Sequence, residues 1–291
     1  MTHSVEKATI DRLLFQGEAV TVGAFRCSPQ HPLFADSGPI EHHCFVFPRT
    51  SVIIAPEGSR PFVADPTVAT LYNKDQLYRR KPVSPEGDRC DWFGVEPRLL
   101  REALTAYDRA AADDDRPIRF SRVPIDATAY LRQRSVFTRI RDGDGDALFA
   151  EEAVVGLLDM VLAAAYAQPR AEHARPRQGA AQSYVEAAQQ VIGRRFAEPL
   201  TLDMIAQPVG CSVYYLCRTF RRMTGRTLHD YREQIRLRTA LERLGASKRD
   251  LTRLALDLGY CSHSHFTGSF RAAFRVPPSA ARLMTRQRPH G

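Results

Sequence analysis

A short pattern occurs twice in the C-terminal third of this chain, and it limits the fold more than any other feature of the sequence. The two copies span residues 205–222 and 254–271, and each contains an apolar segment, a glycine, a serine and a second apolar segment. Gly210 aligns with Gly259, and the residues after them align with a one-residue slip. An internal repeat indicates one structural unit used twice, so it must be interpreted before the rest of the chain.

Each copy predicts two helices joined by a tight turn. The glycine can adopt the left-handed conformation that closes a helix, and Ser212 or Ser262 can cap the helix that follows. In this second helix apolar side chains four residues apart form an inward face: Leu216 and Phe220 in the first copy, Phe266 and Phe270 in the second. Two helices joined in this way form a helix-turn-helix unit, whose second helix enters the major groove of DNA.

The positive charge of the chain is concentrated in the segment that contains the repeat. The formal net charge of the whole chain is +8. Residues 1–167 carry 20 Lys and Arg against 24 Asp and Glu, whereas residues 183–291 carry 18 against 8, a net charge of +10. This division indicates a polyanionic partner for the C-terminal part, although an arginine-rich protein would show a similar excess for solubility alone.

Several classes of protein do not fit the composition. The cysteines stand at positions 27, 44, 90, 211, 217 and 261, with no CxxC pair and no Cys/His spacing typical of zinc sites. The chain shows no signal peptide and no apolar run long enough to cross a membrane. We therefore expect a cytoplasmic protein with reduced thiols, no cofactor, no bound metal and no catalytic residues.

The N-terminal half has the pattern of short β-strands separated by turns. Strands of this length and spacing are typical of a small sandwich or barrel. The sequence leaves open whether the domain encloses a ligand cavity. Strands are predicted at residues 19–25, 43–47, 51–55, 61–64, 67–72, 76–81 and 89–95, with one more candidate at 118–123.

Helical patterns follow the strands, at residues 96–107, 126–141 and 147–166. The helix Ala147–Tyr166 is apolar on almost all sides, which is typical of a helix that is deeply buried or packs on a partner. A homodimer interface is therefore one hypothesis for it. The loop at residues 142–146 resembles the start of a calcium loop, but Ala153 stands where the bidentate glutamate would be required.

The C-terminal part is predicted to be entirely helical. Residues 168–182 contain prolines, arginines and few apolar side chains, and predict an exposed linker. After the linker we expect a helix from Ser183 to about Phe196 and a long helix, Thr227 to Leu244, that Gly245 ends. The helices of the two copies, with Thr201 as the first N-cap, and a short last helix after Ser279 complete the prediction.

The two copies, the long helix between them and the residues that follow form a combined motif. It consists of Leu202, residues 205–206, 210–212 and 215–225, Tyr231, Arg236, Ala240 and Leu244, then residues 254–255, 259–260, 262–266 and 270–271, Phe274, Pro277, Pro278 and Arg282. This motif resembles the DNA-binding domain of the AraC/XylS family of bacterial transcription regulators. Three residues depart from it: Arg275 replaces a usual glycine, Ala281 a usual tyrosine and Gly268 a common arginine.

The resemblance implies an α+β protein of two domains. Residues 1–167 would form a cupin-like β-barrel with following helices, which senses an effector and forms a homodimer; 168–182 would be the linker. Residues 183–291 would form an all-α domain with two helix-turn-helix motifs. In this family the two recognition helices enter successive major-groove segments of double-stranded promoter DNA, about one helical turn apart.

The resemblance also assigns roles to individual residues of the two recognition helices. The base contacts would be Tyr214, Cys217 and Arg218 in the first motif and His263, Ser264 and Thr267 in the second. The phosphate contacts would be Arg221, Arg222, Thr227 and Arg271. Arg218 has the geometry to bind guanine O6 and N7, but a phosphate contact is the alternative interpretation. Because Ser and Thr discriminate bases weakly, we expect the first motif to supply most of the sequence specificity.

The sensing role stays open at this point. The paired-histidine metal motif of cupins is not matched, and His42, His43, Cys44 and Cys90 form the only cluster that would suit a metal or thiol sensor. A small effector is expected without an identity, and RNA polymerase is a candidate partner. The alternatives are a constitutive dimeric DNA binder without a ligand, or a DNA-repair enzyme, for which the N-terminal cysteines are too few and too scattered.

Overall fold

This computed structural model describes residues 10–167, 179–246 and 250–286. Contacts within the chain separate two compact units, which comprise residues 10–167 and 179–286 of the described chain. Most of the predicted linker, residues 168–178, lies outside the described residues. Within the described part of the chain, no helix combines the length and apolar character needed to cross a membrane.

The N-terminal unit begins with strands and ends with helices. In chain order it contains β1 (Asp11–Gln16), β2 (Val20–Cys27), β3 (His43–Pro48), β4 (Val52–Pro56), β5 (Phe62–Ala64), β6 (Val68–Tyr72), β7 (Tyr78–Pro82), β8 (Asp88–Val95), α1 (Pro97–Thr105), α2 (Arg109–Ala112), β9 (Arg122–Pro124), α3 (Ala127–Arg141) and α4 (Ala147–Tyr166). A strand is present at each of the seven predicted positions, whereas of the further candidate at 118–123 only residues 122–123 lie in a strand, β9. Strand β1 was not predicted, because the alternation of this edge strand is weak and none of its six residues is fully buried.

The strands form two antiparallel sheets with a core between them. The larger sheet has the order β1-β2-β8-β3-β6-β9 and the smaller one the order β5-β4-β7. Phe25 and Val46 of the larger sheet belong to the same buried cluster as Val52, Ile54 and Phe62 of the smaller one. The described strands do not close into one ring, so the barrel prediction is not confirmed and the unit is a two-sheet sandwich.

Strand β8 shows how the two faces of the larger sheet are used. Cys90 and Trp92 pack towards the cluster between the sheets, whereas the ring of Phe93 packs edge-on against Phe137 of α3, with centroids 6.3 Å apart. The buried carboxylate of Asp91 accepts hydrogen bonds from Gln133 and Arg134 of α3. Because a buried carboxylate needs such partners, this contact fixes α3 on the outer face of the sheet.

Helix α4 has the predicted bounds but is not covered on every side. Val154, Leu157 and Val161 are buried. Leu148 and Val155 are 72% and 39% exposed on the opposite side. The helix is therefore an ordinary core helix on one side, and its outer side retains two apolar residues.

The C-terminal unit is all-helical, as predicted. It contains α5 (Gly179–Arg195), α6 (Leu202–Val209), α7 (Val213–Thr224), α8 (Leu228–Ala246), α9 (Leu251–Asp257), α10 (His263–Phe274) and α11 (Pro278–Thr285). Helix α5 begins four residues before the predicted start at Ser183. Gly245 does not end α8, which continues to Ala246. A Cβ at Gly245 would lie 2.4 Å from the carbonyl oxygen of Thr285, so glycine is needed there for close packing of α11.

Candidate nucleic-acid interface

The first repeat folds as two helices with a tight turn between them. Gly210 closes α6 in the left-handed conformation, with φ of +79°. The hydroxyl of Ser212 then accepts a hydrogen bond from the backbone N–H of Tyr215, 3.3 Å away, and caps α7. Leu216 and Phe220 are fully buried. Because α7 is capped and anchored along one face, its other face is held rigidly towards solvent.

The second repeat has the same construction. Gly259 follows α9 with φ of +81°, and the hydroxyl of Ser262 accepts from the backbone N–H of His265 at 3.1 Å. Phe266, Phe270 and Phe274 form a buried column of rings along α10. The sequence prediction of two helix-turn-helix units is thus confirmed in both copies.

The outer face of α7 presents long side chains. Tyr214 is 75% exposed, and Arg218, Arg221 and Arg222 are exposed as well. Among the described residues, these three arginines have no carboxylate partner within salt-bridge distance. Cys217 differs, because it is half-buried and packs against the apolar cluster of the first motif. The side chains of α7 that were predicted to contact DNA are therefore one recessed thiol and four that project into solvent.

The outer face of α10 has shorter side chains and fewer charges than that of α7. His263 and Thr267 are half-buried and lie against each other, with His263 Nε2 3.3 Å from Thr267 Oγ1. Ser264 is exposed. A Cβ added at the exposed Gly268 would meet nothing within 4 Å, so the surface there is open. Arg271 is exposed near the end of the helix, and it is the only cationic side chain on α10.

Thr227 has a structural role that the sequence did not predict. Its hydroxyl accepts a hydrogen bond from the backbone N–H of Asp230 at 3.0 Å and thereby caps α8. The same hydroxyl is exposed and retains its proton for a second partner. A phosphate contact by Thr227 is compatible with this capping bond.

Three arginines of α8 form hydrogen bonds within the C-terminal unit. The Nε atoms of Arg232 and Arg236 both donate to the carbonyl oxygen of Phe196, each at 2.8 Å. Arg238 is fully buried and donates to the side-chain oxygen of Gln234 at 2.6 Å. Burial lowers the pKa of Arg232, and the neighbouring charge of Arg236 adds to this. The positive charge of α8 therefore adds little to an exposed DNA-binding surface.

The turn of the second motif is held against α8 and the end of α5. The hydroxyl of Tyr260 donates to Glu233 Oε1 at 2.8 Å, and the guanidinium of Arg236 lies 5.4 Å from the centre of the Tyr260 ring. A Cβ at Gly259 would lie 2.2 Å from the carbonyl oxygen of Ala197. We call residues 196–198, Arg232, Glu233, Arg236, Gly259 and Tyr260 the junction, because they join the second motif to the helices that carry the first.

A second candidate site is in the N-terminal unit, where a cavity of about 90 Å³ lies between the two sheets. Its walls include Phe25, Ile54 and Tyr72, and the segment 37–42 lines it as well. This segment is held by two backbone hydrogen bonds of Ile40, which donates to Gln76 at 3.2 Å and accepts from Asp75 at 2.8 Å. The sequence left such a cavity undecided because it forms only where both sheets meet.

Cys44 and Cys90 line this cavity but do not suit a thiol switch. Cys44 lies opposite Gly94 in the β3–β8 ladder and Cys90 opposite Pro48, so the two are four positions, or about 13 Å, apart along the strands. A disulfide needs Cα atoms within about 7 Å. Burial raises the pKa of Cys44 to about 12 and raises that of Cys90 well above its usual value, so neither forms a reactive thiolate.

The two histidines near Cys44 are separated as well. The ring of His42 stacks on Trp92 with centroids 6.3 Å apart, whereas Nδ1 of His43 accepts from the backbone N–H of Lys74 at 3.2 Å. Burial lowers the pKa of His43. Within the described ranges, no three His, Cys, Asp or Glu side chains are grouped to hold a metal ion.

Comparison with known proteins gives matches to the C-terminal unit and to the chain as a whole. A protein-family profile described as a helix-turn-helix domain matches residues 205–284. Regulatory protein SoxS of Escherichia coli (strain K12) is 40% identical over 88 residues, which are 30% of this chain and 82% of SoxS. The bifunctional transcriptional activator/DNA repair enzyme AdaA of Bacillus subtilis (strain 168) is 27% identical over 103 residues, 35% of this chain and 49% of AdaA. The structure of apo ToxT from Vibrio cholerae aligns over 93% of this chain and 99% of ToxT, with 10% identity and a TM-score of 0.39.

Proposed function

The chain belongs to the AraC/XylS family of transcription regulators, and we propose that α7 and α10 contact successive major-groove segments of promoter DNA with unequal strength. In this proposal α7 supplies most of the sequence specificity. Residues 183–291 form the DNA-binding domain, 168–182 the linker and 1–167 the sensor and dimerisation domain.

The outer face of α7 is the observation that carries the proposal. Tyr214, Arg218 and Arg221 project from a helix that is capped at Ser212 and closed by Gly225, with φ of +70°. Because the helix is rigid, Tyr214 and Arg218 can reach base edges, and Arg221 a phosphate, without reordering the backbone. Arg218 would donate two hydrogen bonds to guanine O6 and N7, a contact that discriminates against other bases by about 1–3 kcal/mol. Tyr214, one turn earlier, would contact a neighbouring base.

The remaining contacts follow the same geometry. Base contacts on α10 would come from His263, Ser264 and Thr267, and the recessed Cys217 would reach only an apolar group such as a thymine methyl. Phosphate contacts would come from Arg221, Arg222, Thr227 and Arg271. These contacts orient the protein on the duplex and carry no sequence information.

Footprinting on the DNA upstream of the chain's own gene tests this function. We expect two protected major-groove segments on one face, about one helical turn apart. The Arg218→Ala protein should lose protection of one segment, whereas Arg222→Ala should weaken both equally and reduce the dependence of the affinity on salt. Equal protection by the Arg218→Ala protein would contradict the base contact. No protection by the unaltered protein would contradict the function.

The N-terminal unit would regulate this activity by binding a small effector in the cavity between its sheets. The cavity has an apolar interior and a few polar groups, which is the usual construction of a small-molecule site. This is the sensor role that the family resemblance implies for a cupin-like domain, here on a two-sheet sandwich. A ligand that shifts DNA affinity must bind the active and inactive states with different affinities.

Dimerisation and activation complete the proposal. The exposed Leu148 and Val155 give the outer side of α4 an apolar element suited to a homodimer contact, and RNA polymerase is the partner expected of an activator. Sedimentation of the Leu148→Glu, Val155→Glu double variant tests the dimer contact. A variant that remains dimeric would contradict it.

A further inference from the structure

Gly268 lies in the middle of α10, where the fold itself does not require a glycine. Gly210, Gly225 and Gly259 adopt positive φ, and Gly245 allows α11 to pack closely. Gly268 has neither reason, because its φ is that of an ordinary helix and no described residue lies within 4 Å of a Cβ placed there. Glycine is the least favourable residue in a helix interior after proline. The stability that it costs is therefore not offset by a contact within the described part of the C-terminal unit.

The position of Gly268 is the one that matters most on a recognition helix. Phe266 and Phe270 are fully buried, and Gly268 lies two residues from each, on the opposite side of α10. The alignment of the two repeats places Gly268 at the position of Arg218 in α7. In the proposed function this is the position from which α7 reaches a guanine.

The residues around this glycine leave the backbone of α10 accessible. The exposed residues one turn before and one turn after it, Ser264 and Ala272, have short side chains. The ring of His265 packs edge-on against Tyr260, with centroids 5.4 Å apart, and its Nδ1 lies 3.4 Å from Sγ of Cys261. His265 is thus directed towards the turn that precedes α10. A second molecule can therefore approach the backbone closely at this point.

Glycine is the usual residue where a backbone must come close to a ligand. We infer that Gly268 determines specificity in the second motif, because its missing side chain admits the methyl group of a thymine against the backbone of α10. The inference rests on the proposed DNA-binding function and names the base feature that α10 recognises.

The chemistry of the glycine selects thymine among the bases. Gly268 lies inside α10, so its backbone N–H and C=O are bonded within the helix and its surface presents only C–H groups. The methyl group of thymine is the one apolar group on the major-groove edges of the bases, which otherwise present donors and acceptors. A donor or acceptor packed against C–H groups would lose its water without gaining a partner. An A·T pair is therefore favoured at this point.

The two recognition helices would thus use the same position in different ways. Arg218 extends a long side chain to a base, whereas Gly268 lets the helix itself approach one. A contact with one methyl group raises the affinity by about threefold to fourfold, which is less than the gain from a bidentate arginine. The contact is consistent with α7 as the main source of sequence specificity.

Replacement of thymine by uracil tests the contact, because uracil lacks only the methyl group. The segment read by α10 is the one that the Arg218→Ala protein still protects in footprinting. The unaltered full chain is titrated with promoter DNA in which each thymine of this segment is replaced in turn. We expect one position at which uracil lowers the affinity about threefold to fourfold. A segment in which no replacement changes the affinity would overturn the inference.

The Gly268→Ala variant shows whether that thymine lies against the glycine. The variant adds a methyl group where the methyl group of the base would lie, so it should bind the thymine DNA roughly tenfold more weakly. On the DNA with uracil at the sensitive position the loss should be less than about twofold, because the new methyl group occupies the vacated space. The preference for thymine over uracil is then reversed. No loss, or the same loss on both DNAs, would contradict the inference.

The stability of the same variant excludes a loss of folding as the cause. Alanine is the better helix former, so Gly268→Ala should raise the Tm of the C-terminal unit by roughly 2–5 °C while DNA binding weakens. A lower Tm would assign the glycine a structural role and contradict the inference. Gly179→Ala is the matched control, since Gly179 is exposed at the start of α5 and a Cβ there also has no described neighbour within 4 Å. This control should keep the preference for thymine.

Footprinting of the unaltered chain separates this inference from the proposed function. A protein that protects two segments but has no uracil-sensitive position in the α10 segment keeps the regulator function and loses the thymine contact. A protein that protects no DNA loses the regulator function, on which the contact depends.

Discussion

The two helix-turn-helix motifs share one construction but differ in what surrounds it. Each recognition helix is capped by serine and closed by a left-handed residue whose backbone N–H bonds to an arginine carbonyl at 2.9 Å. In the first motif the closing residue is Gly225, with φ of +70°, whereas in the second it is Arg275, with φ of +63°. The first motif has the long exposed side chains and the second has the tight contacts with the junction. We infer that α7 is built for discrimination and α10 mainly for positioning.

The turn glycines provide the largest expected difference between the motifs. Gly210 and Gly259 have nearly the same φ, but a Cβ at Gly210 would meet nothing within 4 Å, whereas one at Gly259 would clash with Ala197 and Arg236. Gly210→Ala should therefore lower the free energy of unfolding of the C-terminal unit by about 1 kcal/mol, and Gly259→Ala by about 3 kcal/mol or more. Urea denaturation of both variants measures this. Equal losses would show that the junction tolerates movement of the second motif.

Arg218 and Ser264 test the difference in DNA recognition. Arg218→Ala should lower the affinity for the promoter site roughly tenfold to hundredfold and relax the preference at one base pair, because a bidentate guanine contact is lost. Ser264→Ala should change the affinity less than about threefold, because one short hydroxyl discriminates weakly. Binding titrations at one salt concentration, with the site and its single base-pair variants, provide the measurement. A larger loss for Ser264→Ala would reverse the assignment of the two helices.

The Tyr260–Glu233 bond tests the junction itself. Tyr260→Phe should lower the free energy of unfolding by roughly 1.5–3 kcal/mol, the usual net contribution of a hydrogen bond to a charged group. A double-mutant cycle with Glu233→Gln isolates this bond from the packing of the ring. Additive effects of the two changes would mean that the bond does not contribute.

The same bond predicts a pH dependence. Burial and the charge of Glu233 raise the pKa of Tyr260 above its usual value. The contribution of the bond to the free energy of unfolding is therefore fully present below about pH 10, the usual pKa of tyrosine. It is lost as the pH rises through the higher pKa of Tyr260 in the folded state. The Tyr260→Phe variant should lose less stability than the unaltered chain over this alkaline range.

The closing residues of the recognition helices give the smallest expected effect. Arg275→Gly should raise the free energy of unfolding by roughly 0.5–1 kcal/mol, because glycine adopts positive φ without steric cost. Gly225→Arg, the matched change in the first motif, should lower it by a similar amount. The shifts in Tm of the two variants have opposite signs if the motifs are equivalent at this position. A loss of stability in Arg275→Gly would assign a stabilising contact to the arginine side chain.

Most helices and strands could be predicted from the sequence because their signals are local. Ser212 and Ser262 as caps, Gly210 and Gly259 as left-handed turns, and the apolar residues four apart all act within a few residues of the chain. The predicted bounds of Ala147–Tyr166 agree with those of α4 for the same reason, since Asp146 caps it locally. Strand β1 was missed because an edge strand with mixed exposure has no such local pattern.

Only the tertiary structure decided which residues of these elements meet. The junction brings Glu233 to Tyr260 and Gly259 to Ala197, which are far apart in the sequence, and no spacing in the chain predicts either contact. The same holds for Trp92, whose indole reaches Asp11 across Gly23, and for Cys44 and Cys90, which strand register keeps about 13 Å apart. Local propensity determines where helices and strands begin and end, but the packing of side chains distant in sequence determines the cavity and the relative position of the two motifs.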